Sequence, residues 1–277
     1  MKRNIYLKTI PPAEAVARVK ASIDREALIR EETIPSHEAS GRVLAHAVHA
    51  RYSSPTFHSA AMDGYAVNAR STFAAREGHP LTLKAGETCF AVNTGHPMPE
   101  GCDAVIMIEQ VVLDGGSVTI EAPAFPWQHV RRIGEDIVAT ELLFPRNHQL
   151  RPWDVGALLS GGIWDVPVWE RVTVRIIPTG DEVLDFTTHP DPGKGQVVES
   201  NSQMLAALAR ELGCVVERAA PVPDNPEALH QALKDSLDAG RHLTIFCAGS
   251  SAGSKDFTRA TLEKEGEILT HGIAAMP

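Results

Sequence analysis

Along residues 9–30 the apolar positions Val16, Val19 and Ile23 fall on one side of a 3.6-residue period behind Pro11 and Pro12, and the spacing predicts a helix. Residues 36–49, following Pro35, read as a second helical stretch. From Arg51 the pattern changes to short apolar runs broken by Gly, Pro and Asp. The runs 105–113 and 117–121 flank Asp114-Gly115-Gly116, a hairpin signal, so residues 52–128 are expected to form a compact strand-rich domain. A connector follows over 130–168, with an apolar run at 141–144, a short helix after Pro152, and Gly161-Gly162. It is expected to return beside 31–51, giving one domain of residues 1–51 and 129–170 with the 52–128 domain inserted into it.

From Arg171 to the end the alternation is regular. Strands are predicted over 172–177, 214–222, 242–247 and 268–273, and helices over 204–212, 226–239 and 257–265. Pro226 stands at a first helical position, and Gly240 and Gly266 follow last ones. Buried strands alternating with helices imply a parallel sheet covered by helices, so residues 171–277 read as an α/β domain and the whole chain as α/β multidomain.

Composition removes several function classes. Of 277 residues, 43% are hydrophobic and 22% charged, and 26 Lys and Arg against 35 Asp and Glu leave a net charge of -9. Binding to nucleic acid needs a basic surface, which this balance disfavours. No apolar run is long enough for a membrane helix, and Met1-Lys2-Arg3-Asn4 lacks a secretory core, so a cytoplasmic protein is expected. Cys89, Cys102, Cys214 and Cys247 show no CxxC spacing and are expected as buried free thiols. Trp127, Trp153, Trp164 and Trp169 are expected to pack at domain junctions.

In parallel sheets ligands bind beyond the carboxyl ends of the strands. Three segments follow predicted strands: Pro178-Thr179-Gly180-Asp181-Glu182, Pro223-Asp224, and 249–256. They are expected to gather on one edge. The small residues Gly249, Ser250, Ser251 and Gly253 offer backbone donors to an oxyanion, although a plain loop has the same composition. Asp181, Glu182, Asp224 and Asp256 would repel that anion unless a hard cation such as Mg2+ stands between. Asp224 and Asp256 have helix capping as an alternative role, and Asp63-Gly64 and Thr94-Gly95 also read as ordinary turns.

Six blocks then occur in one order: Ala61-Met62-Asp63-Gly64-Tyr65-Ala66-Val67, Thr94-Gly95-His96-Pro97-Met98-Pro99-Glu100-Gly101, Arg132-Ile133-Gly134-Glu135-Asp136-Ile137, Thr179-Gly180-Asp181-Glu182-Val183, Gly249-Ser250-Ser251-Ala252-Gly253 with Asp256, and Gly266-Glu267 leading to His271-Gly272-Ile273. On these the chain resembles the molybdopterin molybdenumtransferase family, which includes the E domain of gephyrin. Ser200-Asn201 and Asp224 fall where the family has its Asn and Asp. The resemblance implies an elongated linker domain, an inserted strand-rich domain and a three-layer α/β domain with a parallel-dominated sheet. It implies a homodimer with a cleft shared between subunits, and insertion of molybdate into adenylylated molybdopterin with Mg2+, giving molybdenum cofactor and AMP.

The roles that follow are expectations. Glu182, Asp224 and Asp256 would hold Mg2+ and, with Asp63 and Thr94, carry the reaction. Thr179, Gly180, Asp181, Ser200, Asn201, Gly249, Ser250, Ser251 and Gly253 would bind the molybdopterin nucleotide. Other cofactor-biosynthesis proteins are further expected partners. The family pattern continues past Pro277, has Lys where Met276 stands and Gly where Ala248 stands, and commonly Ser at Ala60. A molybdopterin-binding protein that stores, senses or delivers the cofactor without turnover is the alternative, and a scaffold is a third reading.

Overall fold

The computed structural model describes residues 9–247 and 257–275, which fall into two units: Thr33–Val168, and the described parts of Met1–Glu32 with Trp169–Pro277.

In the first unit, Gly64–Val67 runs antiparallel between Cys89–Val92 and Ala104–Met107, with Gly64 opposite both Val92 and Met107. A second sheet places Ser117–Ile120 between Leu81–Lys84 and Val111–Asp114. Its hairpin turns at Gly115 and Gly116, with φ of 53° and 92°, because a two-residue turn that matches strand twist needs positive φ at both positions. The expected 105–113 strand is divided at Ile108–Gln110, so its two halves pair in different sheets. Val67, Leu83, Cys89, Ile106, Val118 and Ile120 form the core of this region.

Residues 36–49 are not a helix. Only Ser36–Glu38 makes a 3-10 turn, after which Gly41 takes φ 79° and Val48–His49 pairs with Leu142–Phe144. The N–H groups of Gly41 and Leu44 donate to the carbonyls of Leu150 and His148 at 2.7 and 3.0 Å. Partners a hundred residues away thus replace the local ladder, and burial of Leu44 against Leu150, Leu158, Val166 and Val168 stabilises that choice. The helix Pro152–Ser160 forms as the pattern predicts.

In the second unit, Thr173–Pro178 lies between Val215–Arg218 and Leu243–Cys247, all parallel. Val174, Ile176 and Ile177 are buried, as a central strand covered on both faces requires. The helices Asn201–Glu211, Pro226–Asp238 and Thr258–Glu265 follow the expected order. The 214–222 strand is shorter than expected and ends at Arg218. Gly272–Ile273 does not extend this sheet; it pairs in parallel with Thr9–Ile10.

The expected 9–30 helix is accordingly divided into that strand, a helix over Pro12–Ser22 and a turn over Arg25–Leu28. Pro11 sits at ψ 147°, since the ring of a following proline bars the helical region. Val16, Val19 and Ile23 are 52%, 43% and 41% exposed, so the apolar stripe does not serve as a core face. Trp127, Trp153 and Trp164 are exposed. All four cysteines are free, but only Cys89 is fully buried.

Candidate functional site

The central strand ends at Pro178, and the turn after it is laced to both neighbours. Thr179 N–H donates to Cys247 O (3.0 Å), Gly180 N–H to Val222 O (3.1 Å), and Val222 N–H to Pro178 O (2.9 Å). These bonds bring the 178–182 and 222–224 turns together at the carboxyl end of the sheet. Asp181 Oδ1 then accepts the N–H of Asp224 at 3.1 Å. Asp224 is therefore next to Asp181, and the helix-capping alternative for Asp224 does not hold, because Asn225 Oδ1 takes the Ala228 N–H at 2.8 Å instead. Gly180 has φ 140°, and a Cβ there would lie 2.7 Å from Val183 Cγ2 and 3.1 Å from Glu182 Oε2. A glycine is thus what lets Glu182 fold back over the turn. Asp181 and Glu182 are exposed and Asp224 is half-buried.

Ser200 and Asn201 stand at the start of the Asn201–Glu211 helix, and one of its orphan amides, that of Ser202, is satisfied by Glu199. Glu199 is 6% exposed and accepts the Ser202 N–H at 2.7 Å and the Ser202 hydroxyl at 2.5 Å. Asp185 and Arg218 join the same cluster. Asp185 is held below the usual carboxylate range by the Thr187 N–H first and the Arg218 guanidinium second. None of these three is singled out by the sequence reading. The available signal is Glu199 three residues ahead of a Ser at a helix start.

In the other unit, Asp63 and Thr94 come together. Asp63 Oδ1 accepts the Thr94 N–H at 2.7 Å and the Thr94 hydroxyl at 2.9 Å. The backbone bond first, then the hydroxyl, holds the Asp63 carboxyl below its ordinary range. Gly64 is required beside it, since a Cβ would lie 2.0 Å from the Ile106 carbonyl oxygen of the paired strand. The N–H of Gly95, at φ 85°, closes on Ala60 O at 2.8 Å.

Gly249, Ser250, Ser251, Gly253 and Asp256 lie outside the described residues. Among the described residues no group of three or more His, Cys, Asp or Glu is arranged to hold a metal ion. The donor set on the rim is nevertheless all oxygen, which suits Mg2+, an ion usually held by one or two carboxylates together with substrate phosphates. Among the described residues no helix is long and apolar enough to cross a membrane.

Two family profiles match the chain: one described as the MoeA N-terminal region (domain I and II), over residues 10–162, and one described as a probable molybdopterin binding domain, over 175–277. A molybdopterin molybdenumtransferase of Synechococcus elongatus is 30% identical over 89% of this chain and 65% of its own length. One from Haemophilus influenzae is 32% identical over 89% of this chain and 63% of its own length. The chain thus spans somewhat under two thirds of these relatives. The crystal structure of a molybdopterin biosynthesis MoeA protein from Pyrococcus horikosii superposes with a TM-score of 0.79 at 27% identity, over 96% of this chain and 69% of that one.

Proposed function

This chain belongs to the MoeA family, and from that premise we propose that it acts in molybdenum cofactor biosynthesis, inserting molybdate into adenylylated molybdopterin with release of AMP. The observation that carries the reading is the pairing of Asp181 with the Asp224 backbone at the end of a parallel sheet, with Glu182 folded over the same turn. That is where such sheets bind ligands, and the concentration of carboxylates suits a substrate that arrives with a cation.

Glu182 and Asp224, with Asp256, would hold Mg2+. When bound, the ion neutralises phosphate charge and polarises the anhydride P–O bond. The protein's own groups do the rest. Thr179 and Gly180 fix the turn, and Ser200 and Asn201 present donors at a helix start, where partial positive charge favours an anion. Gly249, Ser250, Ser251 and Gly253 would add backbone and hydroxyl donors to the phosphate. Asp63, oriented by its bonds from Thr94, would accept from the substrate's hydroxyl or amine groups. In the net reaction water cleaves the anhydride to AMP and the terminal phosphate of molybdopterin. The two dithiolene thiols then displace an oxo group of molybdate as water. We further propose a homodimer, as the resemblance implies, acting in the cytoplasm.

The test is AMP release from adenylylated molybdopterin with molybdate and Mg2+, comparing wild type, Asp224→Asn and Asp256→Ala. Both variants should fold and lose AMP release by about a hundredfold or more, the scale of a lost charge-stabilising group. Unchanged release in either removes that residue from the reaction. Tight molybdopterin binding by the wild type with no AMP release would leave the storage or delivery role in its place.

A further inference from the structure

After Thr173–Pro178 the chain leaves the sheet and returns only at the Asn201–Glu211 helix. The outgoing limb begins with Thr179, Gly180, Asp181 and Glu182, and the returning limb ends at Ser200 and Asn201. Its two limbs are joined by Val197 N–H to Glu182 O at 3.0 Å and Glu199 N–H to Leu184 O at 2.9 Å. Val183–Leu184 and Val197–Val198 pair over two residues, and both Val197 and Val198 are exposed.

Arg218, the last residue of its strand, reaches both limbs. Its Nη1 and Nη2 donate to Asp185 Oδ2 and Oδ1 at 3.3 and 3.1 Å on the outgoing side. Nη2 also reaches Glu199 Oε2 at 3.4 Å, and Nε reaches the Ser202 hydroxyl at 2.9 Å, on the returning side. The guanidinium lies over the Phe186 ring at 4.6 Å. The side chains of Arg218 and Glu199 are 13% and 4% exposed, so these bonds are shielded from water and salt. The planar fork makes four bonds from three nitrogens to two carboxylates and a hydroxyl, one more than the three donors on the single nitrogen of a lysine.

We propose that Arg218 is a positioning residue for the candidate site: it sets the spacing between the Asp181–Glu182 turn and Ser200–Asn201, and so sets affinity for the anionic substrate. The proposal rests on the functional reading above. Arg218 itself bonds carboxylates within the fold. When the pin is loosened, the arrangement that binds becomes a minority of the population, and apparent affinity falls by that fraction. Saturating substrate repopulates it, so turnover at saturation is retained.

The experiment uses Arg218→Lys and the gentler Asp185→Asn, which releases only the outgoing limb. In steady state, KM for adenylylated molybdopterin should rise about tenfold in Arg218→Lys, with a smaller rise in Asp185→Asn. For both variants kcat should stay within about twofold of wild type. In the ligand-free proteins, hydrogen exchange should speed up at the amides of Thr187, Val197 and Glu199 and stay unchanged in Thr173–Pro178. A drop in unfolding temperature with unchanged KM would mean a purely structural role and would overturn the proposal, as would a fall in kcat at constant KM. If the wild type releases no AMP, the functional reading fails on its own. Exchange then decides the pin, and unchanged rates between residues 183 and 199 would overturn it.

Discussion

Asp154→Ala is the perturbation whose size the structure sets best. Asp154 is 3% exposed and accepts four bonds: from Arg151 N–H at 2.9 Å, Arg151 Nε and Nη2 at 3.1 Å each, and His148 Nε2 at 2.7 Å. Burial by itself works to raise its pKa, but the Arg151 side chain and N–H, with His148, outweigh it and hold the carboxyl well below the usual carboxylate range. The residue stands at the third position of the Pro152–Ser160 helix and caps it by accepting the Arg151 N–H, and Leu158 of that helix is fully buried in the core with Leu44 and Leu150. Losing a cap costs about 1 kcal/mol. Breaking a buried ion pair costs about 3–5 kcal/mol when the stranded charge stays buried. The Arg151 side chain is 55% exposed and can turn to water, so the pair adds about 2 kcal/mol, below that range, and with the cap we expect about 3 kcal/mol in all. At roughly 2–4 °C per kcal/mol this lowers Tm by about 10 °C at pH 7. Because the folded pKa lies below the unfolded one, the stabilisation is fully present above the unfolded value of about 4 and fades as pH falls towards the folded one. The gap between wild type and variant, followed by calorimetry, should therefore narrow steadily below about pH 4. A Tm loss under about 3 °C at pH 7, or a gap that widens in acid, would refute this reasoning.

Two further outcomes are expected. Gly64→Ala forces a Cβ to within 2.0 Å of the Ile106 carbonyl oxygen, so the central strand must shift. Urea unfolding should show a loss of about 3 kcal/mol or more, and a neutral result would mean that Gly64 is not needed for close strand approach. Thr94→Val removes the hydroxyl bond to Asp63 at 2.9 Å but keeps the backbone bond. Carboxyl NMR should find the Asp63 pKa moved up part of the way towards its ordinary value, and no movement would assign the whole depression to the backbone N–H.

Local signals read well where local chemistry decides. Asn225-Pro226 and Gly240 bound a helix because a side-chain oxygen, a fixed φ and a positive φ are each needed there, and the structure has Asn225 capping and Gly240 at φ 63°. The Gly115-Gly116 hairpin is legible for the same reason. Residues 36–49 mislead because their hydrogen-bond partners, Leu150 and His148, lie far along the chain, and a helical period says nothing about such a competitor. The 9–30 stretch misleads because a periodic stripe can remain exposed. The meeting of Asp181 with Asp224 follows from the strand-end rule applied to sequence. The Arg218 cluster does not, since it requires knowing that Asp185 and Glu199 both return to one strand end.

The candidate carboxylates share a physical cause that bears on the choice between capping and chemistry. A strand or helix end leaves amides without ladder partners, and a short acidic side chain supplies the missing acceptor. Asp63 does this for Thr94, Asp181 for Asp224, and Glu199 for Ser202. Each bond fixes a negative charge where the backbone has stopped pairing, and under the proposed function that structural duty would also hold the charge in place for a cation or a substrate. The proposed role and the structural one are therefore compatible at Asp63 and Asp181, and an alanine substitution would remove both together. A carboxamide retains an acceptor oxygen while removing the charge. That is why Asn is the informative replacement at each of these positions: loss of substrate turnover with unchanged stability isolates the charge, whereas loss of stability alone would leave Asp63 and Asp181 as turn-forming residues.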